Sequence, residues 1–281
     1  MTKKNEEKII ISAIKDINEK GYTKIENIIE ISLIKKIIRY LNKIEKSFKS
    51  NTKNKFKNAT VFHGDSKVIN NLHSLDIMFW DLISHPLITK ICEAILSKYS
   101  YKDSEGFILI GSAIRILSNK QESQQLHIDS NLPGNNHILS LQFCIPLDPF
   151  DNNNGATQIL QGSTEIKEYP PTMSNLNKKQ KEKLLILNAN PGDLLIFNTS
   201  LWHGSSKKNT NKRRAAIFMN FGRWFLKPSF DIPNNIPNNI YSKLSDYQKK
   251  IAGCYFQPPF DDNECRGRKS KNPIVRKYIE E

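Results

Sequence analysis

From Phe107 onward the chain breaks into short apolar segments separated by turn residues, and this texture limits the fold more than any other feature. Phe107–Leu117, Ile138–Leu147, Thr157–Leu160, Leu184–Leu187, Asp193–Phe197 and Ala215–Phe221 carry the β-branched and aromatic residues that suit a pleated, half-buried surface. Between them stand Pro133-Gly134-Asn135-Asn136, Asp151-Asn152-Asn153-Asn154-Gly155 and Pro191-Gly192-Asp193, whose backbone preferences turn a chain. No helical pattern recurs regularly between these segments, which argues against a parallel βαβ sheet. An antiparallel barrel or jelly roll is expected.

The N-terminal third has a different period. Ile9, Ile10, Ala13, Ile14 and Ile17 recur at helical spacing until Gly21 breaks the run. Tyr22–Ile29 reads as a short strand or turn. A second helix follows over Ser32–Phe48, with Leu33, Ile34, Ile37, Ile38, Leu41 and Ile44 in one stripe and Lys and Arg opposite. Lys49–Asn58 is polar and basic, a loop. Two further helices are expected over Ser74–Ile83 and His85–Ser97, the second with Pro86 in its first turn. The tail after Pro228 is rich in Pro and Asn, has one helical piece near Leu244–Ile251, and is expected to wrap the barrel. The chain thus reads as a single domain, with a mainly helical flank over 1–105, a β core over 106–226 and a C-terminal wrap over 227–281.

Composition narrows the setting. A length of 281 residues suits one β domain with flanking helices, and 38% hydrophobic with 25% charged residues is the balance of a soluble globular protein. No apolar run approaches the roughly 18–20 residues of a membrane span. The N-terminus mixes both charge signs without a cleavage signal, so a cytoplasmic location is expected. Cys92, Cys144, Cys254 and Cys265 form no CxxC pair, which argues against a structural zinc site. Cys92 and Cys144 read as buried small hydrophobes, Cys254 and Cys265 as reduced thiols. The net charge of +14 is compatible with nucleic acid, an anionic membrane surface or an acidic substrate. The lysines are scattered among Asn, Glu and Ile rather than interleaved with aromatics. That pattern favours a solubilising role and argues against a nucleic-acid groove.

The segment Gln124-Gln125-Leu126-His127-Ile128-Asp129-Ser130 carries the chemistry. On a strand, residues two apart share a face, so His127 and Asp129 would point together into a barrel. One imidazole and one carboxylate make two-thirds of the facial triad that suits non-haem Fe(II). His203 is the candidate third ligand, since the apolar stretch from Asp193 ends in it and the small Gly204 follows. Arg213 and Arg214 precede the apolar segment Ala215–Phe221, and an Arg at the mouth of a buried strand needs an anionic partner. The distal carboxylate of 2-oxoglutarate is such a partner. Each piece alone is common, because a lone His more often satisfies a core hydrogen bond than binds a metal. The combination is specific.

Taken together, these residues resemble the phytanoyl-CoA dioxygenase-like branch of the Fe(II)/2-oxoglutarate oxygenases. The likeness runs from about Gly21 to about Gly267 through Gly21-Tyr22, His127-Ile128-Asp129, Asn154-Gly155-Ala156, Gly162-Ser163, Pro191-Gly192-Asp193, His203-Gly204-Ser205 and Arg214-Ala215-Ala216-Ile217. The resemblance implies a double-stranded β-helix core (jelly-roll, cupin-like), mainly β with flanking helices and a helical N-terminal third. It implies Fe(II) on His127, Asp129 and His203, with 2-oxoglutarate and dioxygen as cosubstrates. The eleven-residue spacing from His203 selects Arg214 over Arg213 for 2-oxoglutarate, and Ser205 and Gln142 match positions that line the cosubstrate pocket. Halogenating relatives carry a small residue in place of Asp129, so the carboxylate favours hydroxylation of an unactivated C–H bond, with release of succinate and CO2, and leaves desaturation and ring formation as alternative outcomes of the same chemistry. The basic charge and the absence of a membrane segment point to a small anionic or zwitterionic metabolite as substrate. The competing readings are the same chemistry on an acyl-CoA or a nucleic acid, and a non-catalytic cupin-like metal binder, which would not need Arg214 or Gly204-Ser205.

Two departures from the family pattern stand out. Gln161-Gly162-Ser163-Thr164 replaces the frequent Pro-Gly-Ser-His, and Cys144 stands where an aromatic residue is frequent. His63, His73 and His85 have no expected role in the site, and His137 is a candidate for the substrate pocket. Trp202 reads as packing, and Asp148 and Asp151 as solvated turn residues.

Overall fold

Alternation of side chains along the strands sorts the interior into two cores, and the site lies against one of them. The computed structural model describes residues 3–49, 59–62, 66–98, 106–117, 119–134, 136–228 and 230–255. The chain begins with α1 (Lys3–Lys20), β1 (Tyr22–Ile25), α2 (Ile31–Lys49), β2 (Ala59–Phe62) and β3 (Ser66–Asn70). It continues through α3 (Met78–Ile83), α4 (Pro86–Leu96), β4 (Phe107–Leu117), β5 (Ser140–Pro146), β6 (Thr157–Leu160), α5 (Lys178–Glu182) and β7 (Leu184–Leu187). The last elements are β8 (Leu194–Asn198), β9 (His203–Ser205), β10 (Arg214–Arg223), α6 (Ile232–Asn235), α7 (Asn238–Tyr241) and α8 (Asp246–Ile251).

The strands form a seven-stranded sheet, ordered β1-β8-β5-β10-β4-β3-β2, and a three-stranded sheet, β7-β6-β9, with every pairing antiparallel. This is the mainly antiparallel, jelly-roll architecture with flanking helices that the sequence implies. On β5, Leu141, Phe143 and Ile145 face the helices, as do Ile217, Met219 and Phe221 on β10. They share one core with Ile34, Ile37 and Leu41 of α2 and with Ile88, Ile91 and Ile95 of α4. The alternate residues Cys144, Leu195, Phe197 and Ala216 turn to the other face and meet Ile159 of β6 and Phe150. That second core fills the space between the two sheets. Ile232, Ile236, Ile240, Leu244 and Ile251, all within residues 230–255, join the helix-side core.

Three sequence expectations need correction. The helix expected over Ser74–Ile83 is shorter, because a 3-10 turn at Leu72–Ser74 comes first and Asp76 then accepts from the Met78 amide, 2.9 Å, to start α3. Besides its helices and the short strand read at Tyr22–Ile29, which is β1 paired with β8, the N-terminal third holds a β2–β3 hairpin that the sequence reading lacks and that extends the large sheet beyond β4. The segment Ser66-Lys67-Val68-Ile69-Asn70 gives little strand signal, and its pairing against Ala113–Ile116 of β4 supplies what its composition lacks. Asp148 is not a solvated turn residue. Its carboxylate accepts from Arg213 Nε at 2.9 Å, Arg213 Nη2 at 3.1 Å and the Ala215 amide at 2.9 Å. The loop expected beyond Lys49, together with His63 and Cys265, lies outside the described residues. Among the described residues, no helix is long and apolar enough to cross a membrane.

Gly21 ends α1 with φ of +82°, a left-handed turn that sends the chain directly into β1. At the far end of β10, the buried Arg223 donates to the carbonyls of Leu96 at 3.0 Å, Lys98 at 2.8 Å and Ile138 at 2.9 Å. A guanidinium there satisfies the free carbonyls at the end of α4 and complements the helix dipole. We expect Arg223→Met to lower unfolding stability by about 2–4 kcal/mol, because several buried carbonyls lose their donor at once. Urea unfolding of the two proteins measures it, and an unchanged midpoint would deny Arg223 this role.

Candidate metal centre

The segment carrying His127 and Asp129 is not a regular strand, as the two-residue spacing had implied. It runs extended beside β9 and is held by one reciprocal pairing, His127 N to His203 O at 2.9 Å and His203 N to His127 O at 3.0 Å. Gln124 N donates to Ser205 O, 2.9 Å, and Asp129 N to Thr199 O, 2.9 Å, so four donors fix the whole stretch. The spacing argument survives because extended backbone alternates faces whether or not it forms a ladder. His203 likewise does not end the apolar strand. β8 stops at Asn198, whose side chain accepts from Ser200 N at 3.1 Å, an Asx turn that reverses the chain. His203 then opens β9 in the other sheet. Ser163 Oγ accepts from Trp202 N, 2.8 Å, and fixes the entry to that strand.

Gly204 favours this contact. A Cβ at that position would lie 3.0 Å from the Gln124 carbonyl oxygen and 3.2 Å from that of Gln125, so the neighbouring segment would have to give by a few tenths of an ångström to admit a side chain.

Three side chains converge on one point. His127 Nε2 lies 3.7 Å from Asp129 Oδ1, and His203 Nε2 lies 3.4 Å from Asp129 Oδ2. All three ligand atoms fall within 4.8 Å of one another. His203 Nδ1 donates to Leu201 O at 2.9 Å and His127 Nδ1 to Gln125 O at 3.3 Å. A carbonyl only accepts, so in each neutral ring the proton sits on Nδ1 and the Nε2 lone pair faces the cluster. Burial, reinforced by the neighbouring His203, holds the His127 imidazole down to about 4. Burial opposes ionisation of Asp129, but His203 and His127, when protonated, and Arg115 outweigh it and hold the carboxylate down to about 2. Two lone pairs and a carboxylate face one another, and a cation between them would stabilise such a set. Its donor chemistry suits a divalent transition metal with open positions.

The cluster lines an inner cavity of about 160 Å³ together with Arg115, Gln142, Thr157, Ser205 and Arg214. Arg214 is 2% exposed, and its guanidinium carbon stands 3.8 Å above the centre of the Phe150 ring. Burial pushes this guanidinium down to about 10, so it remains charged at neutral pH. Arg214 Nε and Ser205 Oγ are both buried without a hydrogen-bond partner among the described residues, a vacancy that a carboxylate would satisfy. Arg213, one residue earlier on the alternating backbone, turns outward to Asp148 and to Asn42. Gln142 lies on β5 with its side chain buried at the cavity wall. Burial raises the Cys144 thiol to about 12, in keeping with a packing role between the sheets. Trp202 packs with Leu126, Leu160 and Leu176, as expected. His137 is exposed and lines neither the inner cavity nor the larger one outside it. The sequence reading passed over Arg115, and the available signal was an Arg inside the apolar strand Phe107-Ile108-Leu109-Ile110-Gly111-Ser112-Ala113-Ile114-Arg115-Ile116-Leu117.

Comparison with known proteins gives a consistent family. The family model described as phytanoyl-CoA dioxygenase matches residues 17–216. "Uncharacterized protein Rv1501" of Mycobacterium tuberculosis is 23% identical over 211 residues, covering 70% of this chain and 74% of that protein. "Dioxygenase trt7" of Aspergillus terreus is 24% identical over 180 residues, covering 62% of this chain and 59% of that protein. Among solved structures, HygX from Streptomyces hygroscopicus with nickel and 2-oxoglutarate bound superposes with a TM-score of 0.59 at 13% identity, covering 77% and 88% of the two chains. The α-ketoglutarate-dependent epimerase SnoN from nogalamycin biosynthesis gives 0.56 at 11% identity, covering 76% and 83%. At these identities the structural likeness is one of fold.

Gly204→Val is expected to push Gln124–Asp129 off β9 and cost about 1–3 kcal/mol of stability, as overpacking does. Denaturant unfolding of Gly204→Val beside Gly204→Ala measures the loss, which should grow with side-chain size. Equal stability in both variants would show that the segment yields freely.

Proposed function

The chain belongs to the phytanoyl-CoA dioxygenase family of Fe(II)- and 2-oxoglutarate-dependent oxygenases, and on that premise we propose that it hydroxylates an unactivated C–H bond of a small anionic or zwitterionic molecule. The observation that carries this reading is the pairing, in one cavity, of a His127–Asp129–His203 cluster with a buried Arg214 whose Nε has no hydrogen-bond partner among the described residues. A metal-binding cupin without turnover would have no use for the second half of that arrangement. HygX has also been solved with nickel, 2-oxoglutarate and hygromycin B, which supports a small-molecule substrate for a site of this architecture.

In this reading His127, Asp129 and His203 hold the iron, each imidazole through the Nε2 that its Nδ1 hydrogen bond leaves free. Bound iron, with 2-oxoglutarate and dioxygen, supplies the oxidising power: one oxygen atom enters the substrate C–H bond, and the cosubstrate leaves as succinate and CO2. Arg214 pairs with the distal carboxylate of the cosubstrate, and Ser205 Oγ donates to the same group. Phe150 under the guanidinium and Cys144 beside it keep water from that end, so the ion pair is made at low dielectric. Gln142 closes the wall of the cosubstrate cavity. Asp129 fills the third ligand position with a carboxylate, which leaves no room there for a halide. No side chain is assigned as general acid or base, since this chemistry needs none.

His127→Ala, Asp129→Ala and His203→Ala are each expected to lose tight Fe(II) binding, measured anaerobically, and to lose 2-oxoglutarate-dependent succinate formation. A variant that keeps both would take its residue out of the ligand set. Arg214→Ala should weaken the apparent affinity for 2-oxoglutarate by about 30-fold to several thousand-fold, the effect of deleting one side of a buried charge pair worth about 2–5 kcal/mol. Arg213→Ala, which breaks a partly exposed pair with Asp148, should change that affinity little. The opposite ranking would transfer the cosubstrate contact to Arg213.

A further inference from the structure

Arg115 stands where two cavities meet. On β4, Ile114 and Ile116 face the helix-side core, so Arg115 between them turns to the inter-sheet side opposite Ala216. It lines the inner cavity that holds the His127–Asp129–His203 cluster and Arg214. It also lines an outer cavity of about 800 Å³, with Lys120, Gln121, Ser123 and Gln124. Arg115, Gln124, His127 and Asp129 are common to both, and the boundary they share is the neck between the two cavities. We infer that Arg115 is the specificity-determining cation of this enzyme, which fixes an oxyanion group of the substrate (carboxylate or phosphate) at that neck. The inference rests on the oxygenase reading above and adds the substrate's charge and the residue that reads it.

Position and charge carry the argument. Arg214 lies in the inner cavity alone, deep between the sheets, and a dicarboxylate cosubstrate leaves its distal group there. Arg115 lines the outer cavity as well, which Arg214 does not. With a divalent ion, a dianionic cosubstrate, Asp129 and both guanidiniums in place, the neck and inner cavity retain a surplus of one positive charge. Lys120 at the outer rim adds to it. Glu122 is the acidic side chain of the outer cavity besides Asp129, and it is paired with Lys207 at 2.8 Å. The field at the neck therefore favours an anion, and a guanidinium fork orients an oxyanion so that one neighbouring carbon is presented to the metal side. Gln121, Ser123 and Gln124 offer neutral hydrogen-bonding groups to the rest of the molecule.

The test uses the full chain loaded with Mn(II) and 2-oxoglutarate, with acetate as the probe. Proton NMR reads the relaxation of the acetate methyl group by the bound Mn(II), and calorimetry reads 2-oxoglutarate binding to the same samples. The wild-type protein is expected to enhance acetate relaxation saturably. Arg115→Gln should weaken that effect about tenfold or more, the usual loss for a charge-assisted contact, while 2-oxoglutarate affinity stays within about twofold. Arg115→Lys should retain most of the effect, and its intact cosubstrate binding confirms the fold. Arg214→Gln should lose 2-oxoglutarate affinity. Acetate relaxation that is absent in the wild type, or unchanged in Arg115→Gln, while 2-oxoglutarate still binds overturns the assignment of Arg115 alone. A loss of 2-oxoglutarate affinity in Arg115→Gln as large as in Arg214→Gln overturns it too, and moves Arg115 to the cosubstrate. Failure of the wild type to bind 2-oxoglutarate with metal present overturns the oxygenase reading itself.

Discussion

Two backbone hydrogen bonds between His127 and His203, 2.9 and 3.0 Å long, join the segment that carries two of the candidate ligands to the strand that carries the third. Residues directly opposite in an antiparallel pair project to the same side, so this join sets the two imidazoles side by side, tilted at 48° with ring centres 4.3 Å apart. Asp129, two residues on, follows to that side. A slip of one residue would turn His127 and Asp129 to the outside together. Much of the local structure resists such a slip. The Thr199 carbonyl takes the Asp129 amide, Ser163 takes the Trp202 amide, and the Asn198 turn sets where β9 begins. Gly204 permits the close approach.

The second constraint is electrostatic. A jelly-roll interior is apolar, and Arg214 is fully enclosed in it with Cys144 and Phe150 as neighbours. An isolated charge in such a place is costly, and natural proteins retain one where a partner or a ligand compensates. Arg213 shows the contrast within one dipeptide. It meets Asp148 at the surface side and needs nothing further, whereas the alternation of β10 sends Arg214 inward. Arg115 reaches the same interior from β4, so the cavity carries two cations around one carboxylate.

Much of this arrangement was legible in the chain. Strands such as Ser140–Pro146 and Leu194–Asn198 announce themselves by continuous β-branched and apolar composition, and α2 by its apolar stripe. The two-residue spacing of His127 and Asp129 survives any extended backbone, so it pointed correctly even though no regular strand forms there. The β2–β3 hairpin was not legible, because its stability comes from the edge of β4 rather than from its own residues. Arg115 was overlooked for a related reason: one cation in an apolar strand has no meaning until the facing elements are known.

What the chain determined by itself was periodicity: where helices and strands run, which residues of each share a face, and therefore that His127 and Asp129, or Ile217 and Met219, act as sets. Tertiary structure decided which faces meet. It put His203 in the small sheet rather than at the end of β8, turned Arg214 inward while Asp148 held Arg213 outward, and placed Arg115 at the neck between two cavities. The reason is the range of the forces involved. Backbone sterics and side-chain alternation act within a few residues, whereas burial, charge compensation and the contact that Gly204 allows arise only between segments far apart in the chain.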